Sequence, residues 1–253
     1  MPYGGRVDTE PELADEFDRA AGSYNLLTAL NPGDHRHLAE AASALADRLD
    51  RDAPCLLDLG CGSGSSTAAL LRALPGASVV GVDASVGMLA RAAGKAWPDG
   101  VRFVQASAEA LPELRLGPVD GILAAYLFRN VPDRDRDRVA RSALCQLRPG
   151  GWLVVQEYSV AGRRLAGLVW TLVCWLVVIP LAALVGGHPG LYVYLWRSVR
   201  DFDATERFAR RLAEAGFVDI ARQDVQGWQR GILHTFRARR PYAPEESRPC
   251  PAE

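Results

Sequence analysis

An α/β fold built around a mostly parallel sheet is what this sequence predicts, and three observations lead to it. The apolar run Cys55–Leu59 has the length of a buried parallel strand, and a glycine-rich bend separates it from a helical run at residues 67–74. A second apolar strand, residues 78–82, follows directly. Strand and helix patterns then alternate as far as a fifth strand, which is typical of a sheet with helices on its faces. With 253 residues, 49% of them hydrophobic, the chain is long enough for one large domain of this class.

The glycine-rich bend, DLGCGSGSS from Asp58 onward, predicts a binding loop for a nucleotide-like cofactor. Its spacing is D-x-G-x-G-x-G, and Ser65 stands where a dinucleotide-binding fingerprint carries its third glycine. Asp83, at the tip of the second strand, is placed to accept both hydroxyls of a ribose. Asp58 then becomes an orienting acid for the methionine end of S-adenosylmethionine (SAM). Dinucleotide binding and a plain strand-turn-helix unit are the alternatives. The cofactor contacts predicted on these two strands are Asp58, Gly60, Cys61, Gly62, Gly64, Asp83 and Ala84.

The loops after the third and fourth strands are predicted to complete the cofactor cleft, because the carboxyl ends of parallel strands line the ligand crevice. The third strand, residues 101–104, leads to Ser107 and Ala108, which are placed to meet the adenine. The fourth strand, residues 119–124, leads to Tyr126. Further along, the pattern predicts a helix, a tight turn and a fifth strand at residues 134–147, 148–151 and 152–156.

Composition indicates a reduced, cytoplasmic protein without a metal site. The formal net charge is −1, so no global field attracts nucleic acid or anionic lipid, and no nucleic-acid partner is expected. The five cysteines include no CxxC pair, which argues against a zinc site and a redox motif. The first residues, MPYGGRVDTEPE, lack the apolar region of a signal peptide.

Residues 165–185, LAGLVWTLVCWLVVIPLAALV, are uncharged and long enough to span a bilayer. A span would place the later elements across the membrane from the first five strands, and the sheet could not close. Pro180 would also break or kink the helix. We therefore expect one or two cap helices that cover the cleft, line an apolar channel or contact one leaflet, with a buried core helix and a full span as alternatives. The predicted organisation is N-terminal helices over the cleft, a SAM-binding core, an apolar cap, closing elements of the core and a disordered tail, at residues 1–50, 51–160, 161–200, 201–240 and 241–253.

At this point the chain resembles the ubiquinone/menaquinone C-methyltransferases, a family of class I SAM-dependent methyltransferases, from about residue 17 to residue 234. The motifs LDLGCGSG, VGVDAS, AEALP and LRPGG are shared with many class I enzymes. The more specific motifs are FDRAAGSYNLL near the N-terminus, FRNVPD after the fourth strand, QEYS after the fifth and YLWRSVRDF later. The chain departs from the family pattern at Asn25, Ser107 and Phe128, where the family usually carries Asp, Asp and Leu.

The resemblance implies a Rossmann-like, seven-stranded class I methyltransferase sheet with its last strand antiparallel. It also implies SAM as methyl donor, S-adenosylhomocysteine as product and a prenylated quinol as a small lipophilic acceptor. A ring carbon is a poor nucleophile until its neighbouring hydroxyl loses a proton. Arg129 would stabilise the resulting phenolate, and Asn130 would orient the quinol oxygen.

Several residues are candidates for the remaining roles of such a site. His35, Glu157 and His188 are candidate bases, and the sequence does not choose among them. Tyr24 and Tyr158 are expected to pack around the methionine portion or the acceptor ring. His234 is expected in the last strand, and His37 on a helix surface.

Two alternative functions stay open at this stage. One is a secondary-metabolism methyltransferase with a prenyl, terpene or polyketide acceptor. The other is a SAM-binding protein that transfers no methyl group, such as a cyclase that uses the sulfonium as a fixed charge. The sequence leaves the oligomeric state open, and it allows peripheral membrane contact through residues 165–185.

Overall fold

The computed structural model describes residues 34–184 and 189–242, in which strands and helices alternate as predicted through the fifth strand. The helices are α1 (Asp34–Ala46), α2 (Ser65–Ala73), α3 (Val86–Ala93), α4 (Asp133–Gln146), α5 (Arg164–Val173), α6 (Ile179–Leu184), α7 (Pro189–Asp201) and α8 (Thr205–Ala215). The strands are β1 (Cys55–Leu59), β2 (Ser78–Asp83), β3 (Val101–Gln105), β4 (Val119–Ala125), β5 (Leu147–Tyr158), β6 (Val218–Asp224) and β7 (Leu233–Arg239). A 3₁₀ helix, Ala108–Leu114, follows β3, and a π-helical turn, Cys174–Val178, joins α5 to α6.

The strands form one seven-stranded sheet in the order β3-β2-β1-β4-β5-β7-β6. Neighbouring strands among β1 to β5 are parallel, and β7 is antiparallel to both β5 and β6. This sheet is the class I methyltransferase arrangement that the sequence predicted. The strand order reverses between β1 and β4, and a crevice opens at the carboxyl ends of the strands at such a switch point.

Helices cover both faces of the sheet, because successive strand residues point to opposite sides. Leu56 of β1 packs with Leu38, Ala42 and Leu45 of α1 on one face. Leu57, the next residue along β1, belongs to the core on the other face, which also contains residues of α4 and α8. Because apolar cores fill both faces of the sheet, a ligand site is expected at the carboxyl edge of the strands.

The apolar segment forms a cap over one end of the sheet. Helix α5, the π-helical turn and α6 run as one continuous helix, Arg164–Leu184, which we call the cap helix. Trp170 of its first half packs with Tyr158 and Val199, and Ala182 near its end packs with Leu191 of α7. Strands β1–β5 precede the cap helix and β6 and β7 follow it, yet all seven belong to one sheet. The argument against a membrane span assumed such a sheet.

Four expectations need correction or limitation. The turn predicted at residues 148–151 lies inside β5, which begins at Leu147 and includes Gly150 at a φ of +83°. His37 is buried rather than at a helix surface, because α1 turns that side toward the sheet and Gln156 Nε2 donates to its carbonyl oxygen. Cys55, Cys61 and Cys174 are free thiols, but Cys145 is disulfide-bonded, so the expectation of a fully reduced chain is wrong there. The predicted helix with Tyr24 and Asn25, the candidate base His188 and tail residues 243–253 lie outside the described residues.

Candidate active site

The glycine loop between β1 and α2 is held against the end of β2 by its own backbone. The amide nitrogens of Gly60 and Cys61 donate to the carbonyl oxygen of Val82, at 2.8 and 3.0 Å. Gly62 N donates to Asp83 Oδ2 at 2.8 Å. Gly60, Gly62 and Gly64 all have positive φ, so the loop needs the left-handed conformations that glycine adopts without strain. A β-carbon built on Gly62 would meet no atom of residues 34–184 and 189–242 within 4 Å, so the described part of the chain leaves room for a ligand on this side of the loop.

Asp58 lies at the base of the loop and is fully buried. Its Oδ2 accepts hydrogen bonds from Ser66 Oγ at 2.8 Å and Thr67 Oγ1 at 2.5 Å. Its Oδ1 has no hydrogen-bond partner in the described part of the chain. Burial raises the pKa of Asp58 to about 6; the bonds from Thr67 and Ser66 oppose this shift, and the charge of Asp83 adds to it. A buried carboxylate with an unsatisfied oxygen fits a cationic ligand group such as an ammonium.

Asp83 also organises the loops beside it. Its Oδ1 accepts from Ser85 N at 2.9 Å, and its carbonyl oxygen accepts from Ala106 N at 3.0 Å. These bonds bring Ala84 and the loop after β3 to the same edge as the glycine loop. Ser107 is half-buried there and Ala108 is buried. The predicted cofactor residues of β1, β2 and β3 are therefore brought together, while their contacts to a cofactor stay a prediction.

The thiol of Cys61 is buried, and burial raises its pKa, with the nearby carboxylates Asp58 and Asp83 adding to the shift. The thiol is therefore protonated and no nucleophile. Cys61 contributes its backbone to the loop instead.

An ion pair joins the loops after β4 and β5. Arg129 Nη1 donates to Glu157 Oε1 at 2.6 Å, and Arg129 N donates to Glu157 Oε2 at 3.2 Å. Both side chains are buried, with 5% and 0% exposure. Arg129 Nη1 also donates to the carbonyl oxygen of Tyr126 at 3.0 Å. Tyr126 has a φ of +60°, an uncommon conformation for a non-glycine residue, and this network holds it there.

Asn130 connects this loop to the cap. Its Nδ2 donates to Tyr126 O at 3.1 Å, and its Oδ1 accepts from the Tyr194 hydroxyl of α7 at 3.3 Å. Burial raises the pKa of Tyr194 to about 12, although the positive charges of Arg129 and Arg136 oppose the shift. Tyr194 therefore stays protonated as a donor. Sequence reasoning did not single it out, although it is the first residue of the YLWRSVRDF motif.

Aromatic rings extend from this loop toward the cap helix. Tyr126 stacks on Tyr158 with ring centroids 5.3 Å apart, and Tyr158 lies 5.4 Å from Trp170 of the cap helix. The guanidinium of Arg129 lies 5.7 Å from the rings of both tyrosines. These contacts form an aromatic row, Tyr126–Tyr158–Trp170, which runs from the carboxyl edge of the sheet to the cap.

The three histidines within the described residues are one exposed candidate and two buried structural residues. His35 is exposed in the first turn of α1. Two residues later, the carbonyl oxygen of His37 accepts from Gln156 Nε2 of β5 at 2.7 Å, which brings this end of α1 close to β5. His234 lies in β7 as expected, fully buried between Asp224 Oδ1 and the carbonyl oxygen of Ser159. Of the candidate bases, Glu157 is ion-paired with Arg129. No contact among the described residues identifies His35 as the base.

Phe128 is fully buried and packs edge-on against Phe208, at a ring distance of 5.0 Å. Its departure from the family pattern therefore belongs to the core below the site. No group of three metal-ligating side chains occurs within residues 34–184 and 189–242.

The model of the ubiE/COQ5 methyltransferase family matches residues 8–237. The chain belongs to this family. A demethylmenaquinone methyltransferase of Thermus thermophilus is 37% identical over 205 residues, which cover 79% of this chain and 90% of that protein. One of Mycolicibacterium gilvum is 33% identical over 236 residues, covering 91% and 95%. Among solved structures, the 4+2 cyclase SpnF superimposes with a TM-score of 0.66 at 17% identity, covering 93% of this chain and 97% of that one. This last likeness shows the fold alone.

Family membership makes this protein a SAM-dependent methyltransferase, and the residues present fit the cofactor. The unsatisfied Asp58 Oδ1 suits the ammonium of the methionine portion, and the open side of Gly62 leaves room beside the backbone. When bound, SAM supplies an electrophilic methyl group. The fold, the cofactor and the enzyme class predicted from sequence are thereby confirmed.

The raised pKa of Asp58 predicts that SAM binds less tightly in acid. Below about pH 6 the carboxyl is protonated in the free enzyme and cannot pair with an ammonium, so affinity should fall about tenfold per pH unit. Calorimetric titration of SAM from about pH 7 to about pH 5 measures this, and Asp58→Asn should flatten the profile. A wild-type affinity that is constant over this range would contradict the assignment.

The raised pKa of Asp58 also predicts that acid stabilises the unliganded enzyme, although acid weakens SAM binding. The folded pKa of Asp58, about 6, lies above the model-compound value of 3.8. The stabilising contribution of the protonated carboxyl is therefore complete below about pH 4 and is lost as the pH rises through about 6. The difference between wild type and Asp58→Asn in urea unfolding isolates this contribution.

Proposed function

We propose that this enzyme transfers the methyl group of SAM to a ring carbon of a prenylated quinol of the demethylmenaquinol type. The aromatic row Tyr126–Tyr158–Trp170 is the observation that carries the proposal beyond family membership. It links the loop of the candidate catalytic residues to an apolar helix, as an acceptor with a polar ring and a long apolar tail requires. The curated relatives in Thermus thermophilus and Mycolicibacterium gilvum carry the corresponding name.

The proposed roles divide the site between holding and activating the acceptor. Asn130, fixed by Tyr126 O and the Tyr194 hydroxyl, orients a quinol oxygen. Arg129 places a cation beside that oxygen and favours the phenolate form, in a buried position where charge acts strongly. The stacked rings of Tyr126 and Tyr158 form an aromatic wall beside the acceptor ring. Ordinary phenols have a pKa of about 10, so lowering that value is the main electrostatic task of the site.

Glu157 acts through Arg129 in this proposal. It is fully buried, and its Oε1 also accepts from Tyr158 N at 3.0 Å, so it fixes both the guanidinium and the tyrosine beside it. His35, which is exposed in the first turn of α1, remains a candidate base. Tyr24 and His188 keep the roles proposed from sequence. A base takes the hydroxyl proton, and the bond from ring carbon to methyl forms as the methyl–sulfur bond breaks. The ring proton then leaves to water, and the oxygen takes its proton back from the base.

We further propose that the enzyme is cytoplasmic, contacts the membrane peripherally through residues 165–185 and binds no nucleic acid. An acceptor with a prenyl tail resides in the bilayer, and the apolar cap helix is the described surface suited to reach it.

The test is mass spectrometry of a reaction with purified enzyme, methyl-labelled SAM and a short-tail demethylmenaquinol under reducing conditions. We expect one labelled methyl group on the ring carbon. A reaction without SAM controls for background, and Tyr158→Phe should stay active because its ring is kept. Absence of label while calorimetry still detects SAM binding would overturn the acceptor. A product without an added methyl group, formed only in the presence of SAM, would replace methyl transfer by cyclisation.

A further inference from the structure

Beyond Arg164, the exposed residues of the cap helix carry no charged side chain. Arg164–Leu184 is 21 residues long; its most apolar 18 residues have a mean hydropathy of 2.3, and only 11% of them are buried. By length and composition alone it could cross a membrane. Leu165, Leu176 and Leu184 are 75%, 70% and 83% exposed. Exposed apolar surface of this extent marks a site of interaction.

The exposed side chains follow the spacing of one helix face. Leu165, Leu168, Leu172 and Leu176 recur every three or four residues and are all exposed. On the opposite face, Cys174 and Ala182 are buried against the rest of the protein. The helix is thus apolar on both sides, whereas a helix at a water-exposed surface carries polar residues on its outer side.

A basic groove lies at the beginning of this face. It has a volume of about 380 Å³, and its lining includes Arg163, Arg164, Arg230, Leu165 and Trp228. Arg163 pairs with Asp224 at 3.3 Å. Arg164 and Arg230 are exposed, and neither forms an ion pair within residues 34–184 and 189–242. Trp228 is 43% exposed in the same groove, and tryptophan is enriched at the level of lipid headgroups.

We propose that this surface docks on a bilayer containing anionic phospholipid. The outer face of the cap helix enters the acyl boundary, and Arg164, Arg230 and Trp228 lie at the headgroups. The net charge of −1 does not oppose this, because exposed charges act over about 8 Å at physiological salt and the arginines are clustered. A second copy of the chain would cover the apolar face but would leave the arginines without a partner.

The helix lies on the bilayer rather than across it. Helix α7, which returns the chain to the sheet, has 13 residues. It is therefore about 20 Å long, too short for a hydrocarbon core of about 30 Å. Trp170, on the inner side of the cap helix, contacts Tyr158 of the aromatic row. In the docked enzyme, the thickness of this one helix would therefore separate the lipid from the site. The inference rests on the proposed function for its lipophilic acceptor.

Cosedimentation with vesicles tests the inference, using phosphatidylglycerol in one set and phosphatidylcholine alone in the other. Wild type should bind the anionic vesicles more tightly, and added salt should weaken the binding. R164Q/R230Q should bind about 30-fold more weakly, since each arginine near an anionic surface contributes about fivefold. R141Q/R210Q is the matched control, because both arginines are exposed on α4 and α8 and form no ion pair in the described residues; it should bind like wild type.

The apolar part has its own variant, Leu168→Asn with Leu176→Asn. Both side chains are exposed, so the fold should persist in circular dichroism, while vesicle binding should fall about tenfold or more. Equal binding of wild type to both vesicle types, or no binding together with a dimer in sedimentation velocity that these asparagines dissociate, would overturn the inference. Methylation of the short-tail quinol without vesicles is measured in parallel. Active enzyme that binds no vesicles refutes docking alone, and docking without methyl transfer refutes the proposed function alone.

Discussion

Glu157→Gln is expected to lower the free energy of unfolding by about 3 kcal/mol, at the lower end of what breaking a buried ion pair costs. Glu157 is fully buried and the Arg129 side chain is 5% exposed, so the variant leaves an uncompensated cation inside the protein. Glutamine keeps the shape and can still accept from Tyr158 N, which limits the loss. Urea unfolding of the two proteins measures the difference.

The same variant is expected to reduce kcat for methyl transfer about 100-fold, comparable to removal of one preorganised donor. Arg129 Nη1 donates to both Glu157 and Tyr126 O, so its position and the left-handed backbone of Tyr126 depend on the pair. The KM for SAM should change less than kcat, because Asp58 and the glycine loop make no bond to this network and only Tyr126 is shared between it and the predicted cofactor cleft.

A double variant separates stability from chemistry. Arg129→Met with Glu157→Met replaces the pair by apolar side chains of similar volume, which is often neutral or stabilising. It should therefore recover most of the lost stability and none of the activity. If it methylates the quinol at the wild-type rate, Arg129 has no part in activation. If Glu157→Gln unfolds at the wild-type urea midpoint, the pair does not hold the loop.

Local patterns predicted the elements that depend on neighbouring residues. The strand Cys55–Leu59 has the bounds read from its apolar run, and Asp83 ends β2 as expected. Both are set by strand periodicity and by glycines that need positive φ, which are visible within a few residues of sequence. The closure of the sheet by an antiparallel last strand was implied by the family resemblance rather than by any local pattern.

Contacts between distant segments could not be predicted. Arg129 and Glu157 are 28 residues apart, and the Tyr194–Asn130 bond joins residues 64 apart. Each depends on how two loops meet in space, which no local pattern encodes. His37 was expected at a surface, since a short alanine-rich helix such as α1 does not reveal which of its sides faces the sheet.

Gly64→Ala is expected mainly to lower the stability and Gly62→Ala mainly to weaken SAM binding, although the two glycines are two residues apart in one loop. At Gly64, with a φ of +87°, a β-carbon would lie 2.8 Å from Trp97 Cζ2. Trp97 cannot move aside easily, because its Nε1 donates to Ala92 O at 2.7 Å. Backbone strain of about 1–2 kcal/mol and overpacking of about 1–3 kcal/mol should together lower the stability by about 2–5 kcal/mol.

At Gly62, with a φ of +52°, a β-carbon meets no atom of the described residues within 4 Å, so the stability should fall only by the backbone strain, about 1 kcal/mol. The added methyl group instead enters the space beside the backbone that we assign to SAM. Overpacking of about 2 kcal/mol there corresponds to about a 30-fold loss of SAM affinity. Calorimetry and thermal unfolding of both variants give the two quantities. If Gly62→Ala binds SAM as tightly as wild type, the cofactor does not lie against this side of the loop, because a ligand there would clash with the added methyl group.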